Sequence, residues 1–401
     1  MIALLASLIV LAFSAVVSYW SPRISAAMSV FATLLAVFAT PFAPLIFAVA
    51  ILNIVSLLAI RRNQIVGVDY AIVALMAVAT IYAFLTWNLG ELLLLFVVVS
   101  TPTYLLVMIS EERLNVEVGI KYVTFMVLAT VLFLMGASLL YYAHSIQSSE
   151  LFALGFLALI LGLALEVGIA PLHEWVPDVF ETANPIAISI IASLAKFVPF
   201  IVAYKVLLST ATPAIESLLL ILAIISAISM FFGNIGALTA RTASRILAYS
   251  TVANMGYILA TFVAITAPSE FVYYAIAGGL LQLFVNAFGK IGFFNSVKDG
   301  SSSFNAYLLS FSFIGLPPLM GFWSKLFIIY ALVFSNFVWL AFLLVINSAI
   351  SVPYYLRLVR LVGTGWKFTV TNAVTLFSAL AMLLTLVPPT WFIEIVAGGF
   401  R

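Results

Sequence analysis

Apolar runs of about twenty residues, long enough to cross the hydrocarbon core of a bilayer, recur along the whole chain. Nothing else in the sequence restricts the fold so strongly. In lipid every backbone N–H and C=O must be satisfied within the protein, which leaves only helices or closed barrels. A transmembrane barrel shows short segments of alternating polarity, whereas these runs are continuous. Of the 401 residues, 65% are hydrophobic and 7% charged, where soluble domains have roughly 45–50% and about 25%. The expectation is an all-α, polytopic transmembrane helix bundle.

The runs divide into about fourteen spans, at 2–20, 26–40, 42–60, 69–87, 90–110, 117–143, 150–176, 184–208, 214–232, 246–266, 270–297, 304–334, 336–361 and 370–397. The second and third share one long run, split at Pro41 and Pro44. The stretch 1–20 has no basic leader and no small-residue cleavage site, so it reads as a first retained span. Fourteen spans send the loops alternately to two sides. One side collects ten cations: Arg23, Arg61, Arg62, Arg113, Arg241, Arg245, Lys298, Arg357, Arg360 and Lys367. The other has two, Lys205 and Arg401. Lys121, Lys196, Lys290 and Lys325 fall inside or near the ends of spans. Positive charge collects on cytoplasmic loops, which puts the cation-rich side in the cytoplasm and both termini on the outer side of the membrane.

Several function classes drop out. There is no cysteine, hence no disulfide, thiolate nucleophile or cysteine-ligated cluster. The two histidines, His144 and His173, are far apart in sequence. No glycine-rich phosphate loop and no nucleophile–base pair is present. A formal charge of +2 without a basic cluster gives no footing for nucleic acid.

The segment 163–196, LALEVGIAPLHEWVPDVFETANPIAISIIASLAK, packs more polar chemistry between apolar runs than any other. Pro171 breaks the seventh span, and Pro317 and Pro318 break the twelfth. A proline frees backbone groups that lipid does not tolerate. The breaks are five spans apart, an odd offset, which implies two five-helix units of opposite orientation. Inverted repeats with matched broken helices are a transporter pattern. The expected divisions are an N-terminal three-helix segment at 1–68, a first repeat (helices 4–8) at 69–208, a second (helices 9–13) at 209–361, and a final helix at 362–401.

A charge in mid-span costs roughly 2.5–3.5 kcal/mol, so each such residue is a candidate for function. Glu166 precedes the first break and Lys325 follows the second. Lys196 lies midway along the eighth span, about 18 Å from either end at 1.5 Å per residue, too far to snorkel. Lys290, in the eleventh span, is nearer the cytoplasmic end, where snorkelling is open to it. Glu117 and Lys121 stand at i, i+4 near the start of the sixth span, a proton-transfer pair or an ordinary helix pair. His173, two residues past the break, relays protons or satisfies backbone. Burial penalises the charged form of Lys and Glu alike, so a line of them joined by water passes protons. Conduction and coupling, not bond-making, are what this chain supplies.

These motifs resemble the antiporter-like subunits of the respiratory complex I superfamily. That group takes in the NuoN- and NuoM-type subunits, their relatives in membrane-bound hydrogenases and sulfur reductases, and the Mrp sodium/proton antiporters. APLHEWVPDVFETANPIAISIIASLAK (170–196) is similar to the run leading to the family's helix-eight lysine. SRILAYSTVANMGYIL (244–259), LFVNAFGKIGFF (283–294), GLPPLMGFWSK (315–325) and NVEVGIKY (115–122) resemble further family segments, in the family's order. The resemblance implies a proton-translocating module of a redox-driven assembly. Its partners would be other membrane-arm subunits, with Fe–S, flavin or NiFe groups held only in them and no cofactor in this chain. It gives Lys196 the central role, Lys325 the exit, Lys290 the link between them, and places Lys121 on a helix-six lysine.

The chain departs from the family's pattern at four positions. Val97 stands where the family has a helix-five glutamate, Glu166 where it has a helix-seven lysine, and Asn254 and Asn286 where some relatives have histidine. One reading is a rewired acid–base pair, Glu166 with Lys196. The other is a structural subunit that no longer pumps. A sodium/proton antiporter of Mrp type is the alternative outside redox complexes.

Overall fold

The computed structural model describes residues 2–60, 68–109, 116–299, 304–363, 365 and 368–400. Arg61, Arg62, Arg113, Asn115, Lys367 and Arg401, which entered the charge and motif readings, lie outside the described residues. Those that are described form eighteen α-helices, three short 3-10 turns and no strand. In chain order the helices are α1 Ile2–Val17, α2 Pro22–Leu35, α3 Ala43–Leu57, α4 Val68–Leu85, α5 Leu89–Leu106, α6 Val116–Ile146, α7 Ser149–Val167, α8 Trp175–Thr182 and α9 Pro185–Ala192. There follow α10 Phe197–Thr210, α11 Glu216–Thr239, α12 Ala243–Ala260, α13 Ser269–Asp299, α14 Phe304–Ile314, α15 Met320–Phe334, α16 Val338–Val362, α17 Val370–Ala381 and α18 Thr390–Gly399.

Helix covers all fourteen expected spans. Ten are single helices and four are pairs: α7–α8, α9–α10, α14–α15 and α17–α18. The prolines announced the first and third of these breaks. The second and fourth correct the reading of spans eight and fourteen as continuous. Eight spans are long and apolar enough to cross a bilayer unaided, and shorter apolar helices accompany them.

The two proline breaks share one backbone device. α7 ends at Gly168 (φ +81°) and α14 at Gly315 (φ +94°), the left-handed conformation that glycine adopts without steric cost. In each, the N–H after the glycine bonds the carbonyl five residues back: Ile169 to Ala164 O at 2.8 Å, Leu316 to Phe311 O at 3.0 Å. This closes the helix as a Schellman motif and strips the next carbonyls of helical donors. A cis peptide to proline follows three residues after each glycine, at Pro171 and Pro318.

Burial grades from the middle outward. The most apolar stretch of 185–210 (α9–α10) is wholly buried and that of α12 94% buried, against 33% for α6. α6, α5 and α16 turn Leu94, Leu128, Val131 and Phe342 outward, the pattern of a helix facing lipid. α6 and α7 meet through Gly136, Gly155 and Gly162. A β-carbon on Gly162 would lie 2.4 Å from the Phe133 backbone nitrogen, and backbone cannot step aside as a flexible side chain can. Gly162→Val is therefore expected to cost at least about 1–3 kcal/mol, the range for overpacked sites, read as a lowered thermal midpoint of the purified protein in detergent.

Contacts between helix ends gather on two faces of the bundle. On one, Lys121, Asp178, Glu181 and Arg245 meet, and Asp299 accepts from Thr369 and Thr371. On the other, Phe42, Phe84, Trp87, Phe392 and Phe400 form one aromatic cluster. Lys205 lies at this second end, but it is no loop residue. It sits within α10, fully buried.

Candidate functional site

A helix that stops in mid-bundle presents carbonyls with no amide to receive, and two lysines and a tryptophan gather at these stops. In the first half, Trp175 at the start of α8 donates its indole N–H to Leu165 O at 2.9 Å, while Lys196 Nζ donates to Glu166 O at 3.0 Å. The Trp175 ring lies under the Lys196 ammonium at 5.1 Å, a contact worth about 0.5–2 kcal/mol when desolvated. In the second half, Lys325 Nζ donates to Phe313 O at 2.8 Å and Ile314 O at 3.1 Å, over the Tyr257 ring at 5.0 Å. Glu166 and Phe313 each stand two residues before the closing glycine. The same carbonyl of the two breaks thus receives a lysine, one from a neighbouring helix and one from the continuation of the broken helix itself.

Glu166 is 4% exposed. Its Oε1 accepts from Ser100 on α5 at 2.7 Å, and its Oε2 is buried without a partner. An unpartnered buried polar atom costs about 1–3 kcal/mol, so this oxygen is open to a proton or to a water. Thr103 and Tyr122 extend the polar line: Tyr122 O–H donates to Thr103 Oγ1 at 3.0 Å, and its ring meets Trp175 edge to face at 5.2 Å.

The break in span eight falls at Ser193, which carries no helix-breaking chemistry of its own. Side chains from elsewhere hold it. Asn53 on α3 donates to Ser193 Oγ at 2.9 Å, and Asn286 on α13 donates to Ala192 O at 2.7 Å. The break swings Lys196 into place between the halves. One turn along α13 from Asn286, Lys290 is wholly buried, donating to Leu247 O at 2.5 Å and to Ser250 Oγ, with the Phe313 ring at 5.4 Å.

Between Lys290 and Lys325 lies a row of amides and hydroxyls that links the Ser250 backbone carbonyl to the Ser324 hydroxyl. Asn254 donates to Ser250 O and accepts from Gln282 Nε2, both at 2.5 Å, and Ser324 donates to Gln282 Oε1 at 2.5 Å. Ser324 precedes Lys325 in sequence. Every member is buried. In an interior of low dielectric such a chain is favourable only when fully satisfied.

Comparison with known proteins bears on these residues directly. Residues 86–351, which hold all of the lysines just described, match the family model of the NADH:quinone oxidoreductase/Mrp antiporter transmembrane proteins. The chain belongs to that family. NADH-quinone oxidoreductase subunit N of Laribacter hongkongensis is 32% identical over 293 residues, 66% of this chain and 60% of that one. Its counterpart in the Wolbachia of Brugia malayi is 29% identical over 68% of this chain and 64% of that one. The chain thus spans about two thirds of the length of the curated relatives it matches. Among solved structures, a chain of the archaeal membrane-bound sulfane sulfur reductase superposes with TM-score 0.83 at 17% identity, covering 99% of this chain and 96% of that one. A chain of the Mrp complex from Dietzia gives 0.78 at 15% identity over 100% and 95%. A chain of Thermus thermophilus respiratory complex I gives 0.73 at 22% identity over 98% and 99%. At such identities they support the fold alone.

Family membership and the apolar spans together make this an integral membrane protein. Within this member of the antiporter family, the residues singled out from sequence separate into two groups. Glu166, Lys196, Lys290 and Lys325 are all buried, the first two and Lys325 at helix stops and Lys290 against the side of α12. Lys290 does not snorkel. Glu166 and Lys196 are neighbours, but the ammonium takes the glutamate's backbone carbonyl and not its carboxylate, so no direct ion pair forms. Glu117 and Lys121 do not pair with each other. Glu117 is exposed, and Lys121 bonds Asp178 on α8 at the surface. Asp178 and Glu181 also reach Arg245, at 3.8 and 2.7 Å. His173 is half-buried beside Phe232 and Tyr249, with ring centroids at 6.3 and 6.2 Å, and no hydrogen bond joins it to Glu166 or Lys196. Sequence reading missed Ser100, Gln282 and Ser324. Ser100 lies one turn beyond Val97 and gives α5 its hydrogen bond to Glu166 on α7.

Proposed function

We propose that the chain is a proton-translocating, antiporter-like membrane subunit of a redox-driven, complex I-type assembly. Protons pass through Glu166 and Lys196 in the first half, by Lys290, and through the Asn254–Gln282–Ser324 chain to Lys325 in the second. The observation that carries this is the placing of three buried ammonium groups, none with a carboxylate of the described residues in ion-pair distance, against carbonyls freed by helix stops or hydrogen-bonded within the bundle. Charges so placed are costly in a membrane protein unless they work. Each lysine exchanges a proton while its carbonyl partners hold the position. Each transfer only exchanges N–H and O–H bonds and changes no oxidation state, so the electron-transfer groups belong to partner subunits that cover part of the bundle's lipid-facing rim.

The matched Schellman breaks support two inverted units at 69–208 and 209–361, and the partition of loop cations supports a cytoplasmic arginine-rich face with both termini outside. Glu166→Gln tests the reading. The amide still accepts from Ser100 but carries no exchangeable acid. In the assembled complex reconstituted into vesicles, proton translocation per electron pair is expected to fall severalfold with assembly intact. Unchanged translocation would mean that the subunit is a scaffold. Repeating the measurement with and without sodium separates proton transport from sodium/proton exchange.

A further inference from the structure

Two cavities lie between the N-terminal helices and the last helix pair, α17–α18. The first, of about 680 Å³, lies at the aromatic end of the bundle, where the turn before α3 and the end of α4 face α18. Thr40, Trp87, Trp391 and Glu394 supply its polar side chains. The second, of about 550 Å³, begins one turn into α3 and has only apolar lining residues. Phe47, Ile51 and Val55 of α3 form one side, and Phe377, Leu380 and Leu384 of the C-terminal segment the other. Both volumes fall in the roughly 300–1,000 Å³ usual for small-molecule sites.

The polar groups of the first cavity are uncommitted. Among the described residues no cation lies within ion-pair distance of Glu394. Nor does any described residue accept from the indole N–H groups of Trp87 and Trp391 or from the Thr40 hydroxyl. Thr40 Oγ1 only accepts, from Ala43 N at 3.1 Å. Charge is also divided. Glu394 stands on α18, whereas the buried Lys205 ammonium stands behind the Trp87 ring, at 4.7 Å. A carboxylate on one wall and donors backed by a cation on another suit a zwitterion. The apolar trough along the same helix, α3, suits a hydrocarbon chain. Tryptophans take this position at membrane–water interfaces.

We propose that this groove binds one phospholipid with a primary ammonium headgroup. The ammonium pairs with Glu394 beside the Trp391 ring, whose π face attracts a cation. The phosphate accepts from Thr40 and Trp87, and one acyl chain follows the trough past Phe47, Ile51 and Val55. A headgroup with net negative charge has no cation for Glu394 and is repelled by it. The site serves no step of the proton route.

The whole purified chain, stripped of lipid in detergent, is mixed with dioleoyl phosphatidylethanolamine or dioleoyl phosphatidylglycerol. The thermal midpoint and the lipid retained in native mass spectra are measured. The ethanolamine lipid is expected to raise the midpoint by several degrees and to stay bound as a single copy, and the glycerol lipid to do neither. Glu394→Gln is expected to weaken binding of the ethanolamine lipid severalfold, and Glu394→Lys to favour the glycerol lipid. Gly398 also lines the cavity, and a β-carbon there meets no atom within 4 Å. Gly398→Trp is therefore expected to fold, to fill the cavity and to lose the response to lipid. Equal responses to the two lipids overturn the proposal, and so does an undiminished response in Gly398→Trp. Should Gly398→Trp or Glu394→Lys fail to fold, Glu394→Gln decides, being a near-isosteric change at an exposed position, and unweakened binding by it refutes the site. In the assembled complex, absence of ethanolamine lipid together with failed assembly of Gly398→Trp assigns the groove to a partner subunit and overturns the lipid site.

Discussion

Lys196→Met is expected to slow proton translocation by roughly a hundredfold, because an apolar side chain restores the 2.5–3.5 kcal/mol cost of a charge in mid-membrane and each 1.4 kcal/mol is tenfold. Assembly is expected to survive, for reasons visible at the site. Removing one member of a buried ion pair strands its partner and costs about 3–5 kcal/mol. Lys196 has no such partner. What it leaves behind is the Glu166 carbonyl, one acceptor short, at about 1–3 kcal/mol. Methionine fills a similar volume and lays its sulfur against the Trp175 ring, a favourable contact. The measurements are proton uptake by vesicles, normalised to electron transfer, and the amount of intact complex on a native gel. Translocation at the parent rate in a fully assembled complex would remove Lys196 from the route and with it the first half of the proposal.

The reasons that Lys196 was legible in the sequence, and its geometry was not, are physical. Hydrocarbon penalises ionisable groups, so a lone lysine among Ile, Ala and Phe stands out in any reading. Proline forbids continuous helix, so the breaks at Pro171 and Pro317–Pro318 were equally plain. Ser193 stops a helix without proline or glycine, because Asn53, 140 residues away in sequence, and Asn286 supply the hydrogen bonds that a continued helix would have made. No local pattern encodes that. Lys205 was misplaced for the same reason: its partners, Phe84 and Thr86, are about 120 residues away, and by sequence it sits near a span end where a loop lysine is ordinary. Lys121 was paired with Glu117 because i, i+4 spacing is visible and the approach of α8, bringing Asp178, is not.

Lys325 carries two duties at once, and a pair of substitutions pulls them apart. Its ammonium donates to two carbonyls of the α14 stop, at 2.8 and 3.1 Å. Lys325→Met uncovers both, at about 1–3 kcal/mol each, so a lowered thermal midpoint is expected together with lost translocation. Lys325→Arg keeps donors and charge near those carbonyls, and the guanidinium stacks over Tyr257 at least as well as an ammonium does. Stability is then expected near that of the parent, while translocation stays blocked because arginine holds its proton. A scaffold role predicts the opposite ordering for arginine: stability kept and translocation kept with it. The hydroxyl–amide chain sharpens the comparison. Ser324 next door reaches Lys290 only through Gln282, Asn254 and Ser250, so Gln282→Leu is expected to block transfer between the two lysines while leaving both of their carbonyl contacts in place. If Gln282→Leu translocates normally, protons reach Lys325 by another path, and the line of buried amides serves packing alone.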